Sequence, residues 1–142
     1  MTCVFCAIAA GEERASLVAE DERALAFLNL HAVNPGHTLV IPRTHAPDLV
    51  SLDPADGAAV FRTAARVAKG LRSGPLRAEG VNLLLNDGAP AGQDVAHVHL
   101  HVVPRYPGDG FEYRMPERHA EAVPRDTLDA TAALLREAIG AS

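Results

Sequence analysis

The sequence predicts a single α+β domain over residues 1–142, with a mainly antiparallel sheet of about five strands, and three observations carry that prediction. Two short apolar runs, Ser16 to Glu20 and Ala24 to Leu28, are separated only by Asp21, Glu22 and Arg23, which is the spacing of a hairpin. A long stretch of helical periodicity begins at Asp53 and interrupts a series of strand-like runs. Proline and glycine punctuate the boundaries of those runs throughout.

Taken in order, Val4 to Ala10 forms a short N-terminal helix closed by Gly11, which suits a left-handed cap. The hairpin follows. Asn34-Pro35-Gly36 is a turn that launches His37-Thr38-Leu39-Val40-Ile41, a strand ended by Pro42. Asp53 caps the long central helix, Pro54 suits its first turn, and Val60, Phe61, Ala64, Val67, Ala68 and Leu71 share one side. Gly74-Pro75 stops it. Val81 to Asn86 is the next strand, followed by the loop Asp87 to Gln93. The last strand is expected over Val95 to Val103, cut off by Pro104. Tyr106 to Pro116 reads as loop, and an amphipathic C-terminal helix carries Leu128, Thr131, Leu135 and Ile139 on one side.

Composition narrows the function classes. Apolar residues at 48% and charged residues at 22% are the balance of an ordinary globular domain, not of a disordered chain. A net charge of −5, no tryptophan and 4% aromatics argue against a nucleic-acid partner, which needs a basic footprint and stacking surfaces. No apolar run reaches the ~20 residues of a membrane span. With no secretory pattern at the start, the expectation is a cytoplasmic protein without a membrane partner. A small phosphorylated ligand remains compatible, because a few local donors can hold phosphate against the global charge.

The chemistry concentrates in His97-Val98-His99-Leu100-His101-Val102-Val103. On a strand the three imidazoles project from one face while Val98, Leu100 and Val102 enter the core from the other. Three readings compete: a solvated strand face, a catalytic zinc or iron site, and nucleophilic catalysis. The preceding loop favours the last, since Gly88, Gly92 and Gln93 supply close backbone approach and amide donors for phosphate oxygens. Neutral imidazole, with an unperturbed pKa of about 6.5, can attack phosphorus and later be released by water. Cys3 and Cys6, the two cysteines, are spaced as half a metal site or a redox dithiol. The redox reading lacks its βαβ setting, and a third possibility is two thiols packed as small hydrophobes.

The alternating histidines, with Gly92-Gln93 before and Pro104-Arg105 after, resemble the signature of the histidine-triad (HIT) family. The likeness extends to Phe5-Cys6-Ala7-Ile8, Ala26-Phe27-Leu28 and Asn34 to Pro42, and is strongest with the zinc-binding bacterial branch that has an N-terminal Cys-x-x-Cys. The resemblance implies a HIT-like fold and a homodimer. It implies a purine nucleotide hydrolase or nucleotidyl transferase, acting on phosphoramidates or dinucleoside polyphosphates of AMP or GMP type. His99 would carry the nucleotidyl group, with His101 on the phosphate oxygens and His37 supporting the cluster. Asn86, Gly92 and Gln93 would contact phosphate, Asn29 a ribose hydroxyl, and Phe5, Ile8, Phe27 and Leu30 the base. The same resemblance adds His45 and His97 to Cys3 and Cys6 as ligands of a structural Zn²⁺ that the chemistry does not require. Asp94 stands where relatives have serine; as a carboxylate it would repel phosphate unless it faced away or engaged a histidine, and it is left out of the expected site. His31 and His119 read as surface residues. The alternative function is a nucleotide-binding regulatory or scaffold protein with incidental hydrolysis.

Overall fold

The computed structural model describes residues 3–141. Its internal packing divides the chain after Phe111 into two compact units. The first contains α1 (Val4–Ala10), β1 (Leu17–Glu20), β2 (Ala24–Leu28), β3 (Thr38–Pro42), α2 (Pro54–Ser73), β4 (Gly80–Leu85) and β5 (Leu100–Arg105), with a 3-10 turn at Ala89–Ala91. The strands form one sheet in the order β1-β2-β3-β5-β4, and every neighbouring pair is antiparallel. The expected five-stranded antiparallel architecture is therefore present.

Both faces of the sheet are covered, which is why β2 and β3 read as nearly unbroken apolar runs. Alternation sorts them. Ala24 and Ala26 of β2, Val40 of β3, and Leu100 and Val102 of β5 pack under Ala59, Val60, Ala64, Val67 and Leu71 of α2. Leu25, Phe27, Leu39 and Ile41 point the opposite way, onto Phe5 and Ile8 of α1. Fully burying Phe5 contributes roughly 1.5–3 kcal/mol, a large anchor for a seven-residue helix.

Local chemistry explains the joints. Asp21 Oδ1 accepts from the N–H groups of Arg23 and Ala24, both at 2.8 Å, and so closes the β1–β2 turn. Asp53 caps α2 by accepting from the Ala55 N–H at 2.7 Å. The buried Asp56 is paired at 2.7 Å with Arg23, tying the start of α2 to the hairpin. At Asn34-Pro35-Gly36 the His37 N–H donates to the Asn34 carbonyl at 3.0 Å, and Gly36 has φ +96°. That is the third position of a type II turn, where a side chain is strained. A Cβ on Gly36 would also lie 2.8 Å from methyls of Leu71 and Leu76. Gly36→Ala should lower stability by about 1–3 kcal/mol in urea unfolding, and an unchanged midpoint would contradict this account of the turn.

Three boundaries depart from expectation. The last strand begins at Leu100, not Val95, and runs through Pro104 to Arg105. Likewise β3 includes Pro42. Both prolines are tolerated for one reason: β3 pairs with β5 only across Thr38–Val40 and Leu100–Val102, so at each proline the strand has a single neighbour. On α2, Phe61 is 62% exposed, and the buried side is completed by Ala59, Thr63 and Asp56 instead.

The second unit, taken by itself, holds a 3-10 turn at Glu117–Ala120, unforeseen from the sequence, and α3 (Arg125–Gly140). Its apolar stripe, including Leu135 and Ile139, is exposed. No helix among the described residues is long and apolar enough to cross a membrane.

Candidate active site and metal centre

The site starts with a loop that carries its own staples. Gln93 Oε1 accepts from the Gly88 N–H at 2.8 Å, and Gln93 Nε2 donates to the carbonyls of Pro47 and Val95 at 2.8 and 2.9 Å. Gly92 turns the chain with φ +91°, a conformation that disfavours any side chain. The segment from Val95 to His99 then runs alongside another loop, with the Val98 N–H bonded to the Ala46 carbonyl at 2.8 Å, before entering the ladder at Leu100. Of the three triad histidines, His101 alone sits on the strand proper. The in-out alternation nevertheless continues upstream of β5: Leu100 and Val102 face α2, while the rings of His99 and Phe5 pack with centroids 5.2 Å apart on the other side.

His97 is fully buried and faces α1. Its Nε2–H donates to the Pro42 carbonyl at 2.9 Å, which leaves Nδ1 as the lone-pair nitrogen. That one nitrogen lies 3.4 Å from Cys3 Sγ, 3.6 Å from Cys6 Sγ and 3.2 Å from His45 Nδ1, and Cys6 Sγ is 3.4 Å from His45 Nδ1. A single lone pair cannot serve three partners, whereas one cation at their centre serves all. Zinc bonds of about 2.3 Å to sulfur and about 2.05 Å to imidazole nitrogen give tetrahedral edges of roughly 3.3 Å between nitrogens and roughly 3.6 Å between nitrogen and sulfur. The observed separations have those lengths. Burial and then the adjacent Cys3 push the Cys6 thiol up, a penalty that a dication removes by stabilising the thiolates. The expected set Cys3, Cys6, His45 and His97 thus comes together in a geometry able to hold zinc, and it draws on just one triad histidine.

His99 is oriented differently. Its Nδ1–H donates to the His97 carbonyl at 2.8 Å, leaving the Nε2 lone pair for chemistry. The tautomer of His101 follows from a chain of bonds. His37 Nδ1 accepts from the Val33 N–H at 3.0 Å, so His37 donates through Nε2 to His101 Nδ1, also at 3.0 Å. His101 therefore carries its proton on Nε2. Burial, and then the neighbouring His99 and His37, push His101 down to about 4, which keeps that ring a neutral donor near neutrality. Because an unfolded imidazole titrates near about 6.5, the unfolded chain binds the proton that the folded one refuses, and stability should fall as pH drops from about 6.5 toward about 4. Urea midpoints across this window should fall less steeply for His101→Asn than for the parent; equal slopes would contradict the assignment.

His99 and His101 open into a cavity of about 600 Å³, the size of a small-ligand site. Phe5, Ile8, Phe27 and Leu39 form its apolar walls, and Asn29 and Leu30 also line it, Leu30 being 96% exposed. The Asn29 carbonyl oxygen accepts from the His31 N–H at 3.0 Å, and its NH₂ group, 3.4 Å from His37 Nε2, is the end of the amide that has hydrogens to offer a ligand. Asn86, Gly92, Gln93 and His37 do not line this cavity. His37 acts on His101 from behind; both donors of the Gln93 amide are taken by carbonyls; Asn86 lies beside Gly92, within 3.7 Å of where a Cβ there would be. Sequence reasoning missed Arg14, Ser16 and His31, which line the cavity, and above all Asp94. The Asp94 carboxylate is 79% exposed and stands 3.3 Å from His99 Nε2. It thus engages a histidine, the exception under which its charge is compatible with the site.

A family model described as HIT domain matches residues 10–108. The protein called Protein hit from Bacillus subtilis (strain 168) is 42% identical over 110 residues, 77% of this chain and 75% of that protein. The crystal structure of a zinc-bound histidine triad family protein from Mycobacterium smegmatis superposes with a TM-score of 0.76 at 44% identity, covering 82% of this chain and 84% of that one. A histidine triad nucleotide-binding protein from Candida albicans superposes with a TM-score of 0.85 at 28% identity over 98% of each chain.

Proposed function

The chain belongs to the HIT domain family, and from that premise we propose that it is a nucleotide hydrolase or nucleotidyl transferase acting at the α-phosphate through a covalent adduct on His99. One observation carries the reading: the Nδ1–H of His99 is committed to a backbone carbonyl, so Nε2 is the nitrogen left to react, on a ring that lines the cavity and with the exposed Asp94 carboxylate 3.3 Å away. The nitrogen attacks phosphorus, the bond to the leaving group breaks with its electron pair going to that group, and the nucleotidyl group rests on Nε2. Water then adds to phosphorus and releases Nε2, giving a nucleoside monophosphate and a proton to solvent. His101, held neutral and protonated on Nε2, donates to a non-bridging oxygen, where negative charge is concentrated in the transition state.

The apolar walls suit a flat base, and the name of the Candida albicans relative points to nucleotides; purine derivatives of AMP or GMP type are the proposed substrates. The NH₂ group of Asn29 is placed to donate to a ribose hydroxyl. Cys3, Cys6, His45 and His97 would hold a structural Zn²⁺ that keeps α1, and with it Phe5 and Ile8, against the sheet. The ion's role there is to neutralise and clamp the four ligands. The working form is proposed to be a homodimer.

Rapid quenching of the protein with an adenosine phosphoramidate, followed by peptide mass analysis, should find the added nucleotidyl mass on His99. Tight nucleotide binding with neither adduct nor turnover would favour the scaffold alternative.

A further inference from the structure

Asp94 puts a carboxylate where the reacting phosphate must arrive, and we propose that it selects the leaving group, favouring amines over polyphosphates. The inference rests on the nucleotidyl transfer to His99 proposed above. Phosphorus must stand about 3–3.5 Å from the attacking nitrogen, and Asp94 Oδ1 already stands 3.3 Å from His99 Nε2. The two groups share one neighbourhood.

The carboxylate can swing aside but not leave. Its side chain is 79% exposed, so rotation breaks no core packing. Its backbone is held on both sides: the Gln93 amide is bonded to Gly88, Pro47 and Val95, and Val95 packs against the cluster of Phe5, Phe27 and Leu39. With the main chain pinned, the negative charge stays within a few bond lengths of the phosphorus throughout the reaction.

Little else in the cavity offsets it. Among the described residues lining the cavity, Asp94 is the one carboxylate and Arg14 the one arginine or lysine. His101 is kept neutral, so it supplies a hydrogen bond without a full charge. The α-phosphate brings the same charge in either substrate class, so its repulsion by Asp94 is common to both. The difference lies in what departs. When a P–O bond to a polyphosphate breaks, the electron pair goes to an oxygen of an already multiply charged anion beside the carboxylate. When a P–N bond breaks, the bridging nitrogen first takes a proton from solvent and becomes positively charged; the electron pair of the breaking bond then neutralises it, and it leaves as an amine whose N–H groups can donate to Asp94. The departing atom is positive to neutral beside the carboxylate in the second case and increasingly negative in the first.

The experiment compares kcat/KM for an adenosine phosphoramidate of a primary amine and for diadenosine tetraphosphate, in the parent protein, Asp94→Asn and Asp94→Glu, at low and high salt, with His99→Ala as control. The parent should prefer the phosphoramidate, and added salt should narrow the preference. Asp94→Asn should shrink the ratio about tenfold, mostly by raising the rate on the tetraphosphate, and Asp94→Glu, which keeps the charge, should preserve the ratio. His99-dependent turnover with a ratio unchanged in Asp94→Asn would overturn the role of Asp94 and leave the nucleotidyl reading intact. Turnover of neither substrate, or turnover that survives His99→Ala, would overturn both.

Discussion

His99→Ala should lower turnover by a factor on the order of 10⁴ or more, measured as kcat on a nucleoside phosphoramidate, because no other group can form the adduct. The neighbouring rings cannot substitute. His97 has Nε2 on the Pro42 carbonyl and Nδ1 in the cysteine cluster, while His101 has Nδ1 occupied by His37 and its proton on Nε2. Some loss of stability accompanies the substitution, since His99 is 3% exposed and its bond to the His97 carbonyl disappears. About 1–3 kcal/mol is expected, leaving the protein folded at room temperature. The contrast with His37→Ala separates chemistry from support. Removing His37 frees the His101 tautomer without touching the nucleophile, so it should cost roughly one to two orders of magnitude through loss of the donor to phosphate. A His99→Ala protein with more than a few per cent of parent activity would reject the nucleophile; comparable losses in both variants would mean that the four rings act as one structural unit.

The faces of the triad segment were legible in the sequence although its hydrogen bonding was not. Extended backbone alternates its side chains whether or not a neighbouring strand pairs with it, so reading His97 to Val103 as strand placed Leu100 and Val102 correctly even though β5 begins at Leu100. The ladder is interrupted upstream by the Ala46 loop, a tertiary contact with no local mark. Helical periodicity failed at Phe61 for a related reason. Successive residues differ by roughly 100°, so Phe61 lies at the margin of the stripe centred on Val60, Ala64, Val67 and Leu71, and the small Ala59 and Thr63 fit closer to the sheet than a ring could. Gln93 shows what residue type alone leaves open: an amide offers donors, but the loop takes both of them. Asp94 is the converse. A carboxylate beside a phosphate site is disfavoured on charge, and only coordinates reveal that it faces His99. The metal set was legible in half, as a Cys-x-x-Cys pair; the histidines that complete it come from residues 45 and 97, far apart in the chain.

Stripping the proposed Zn²⁺ from Cys3, Cys6, His45 and His97 with a chelator should lower the melting temperature by on the order of 10 °C and raise KM more than it lowers kcat. The stability change follows from linkage: an ion that binds the folded chain at a thousand times its dissociation constant contributes about 4 kcal/mol, and each kcal/mol moves the midpoint by a few degrees in a chain of this size. The kinetic asymmetry follows from placement. Cys3 and Cys6 flank Phe5, whose ring packs on His97, His99 and Phe27, and the next turn of α1 supplies Ile8. Loosening α1 opens the wall of the cavity first, whereas the bond from His99 Nδ1 to the His97 carbonyl runs through the main chain and outlasts the loss. Cys6→Ser should show the same melting temperature with and without chelator, because the site it would weaken is the one the chelator empties. If instead chelation abolishes kcat and leaves melting untouched, the essential ion sits on the triad itself. Parent protein that contains no zinc and melts identically in chelator would leave the four converging ligands as a packing arrangement of thiols and imidazoles.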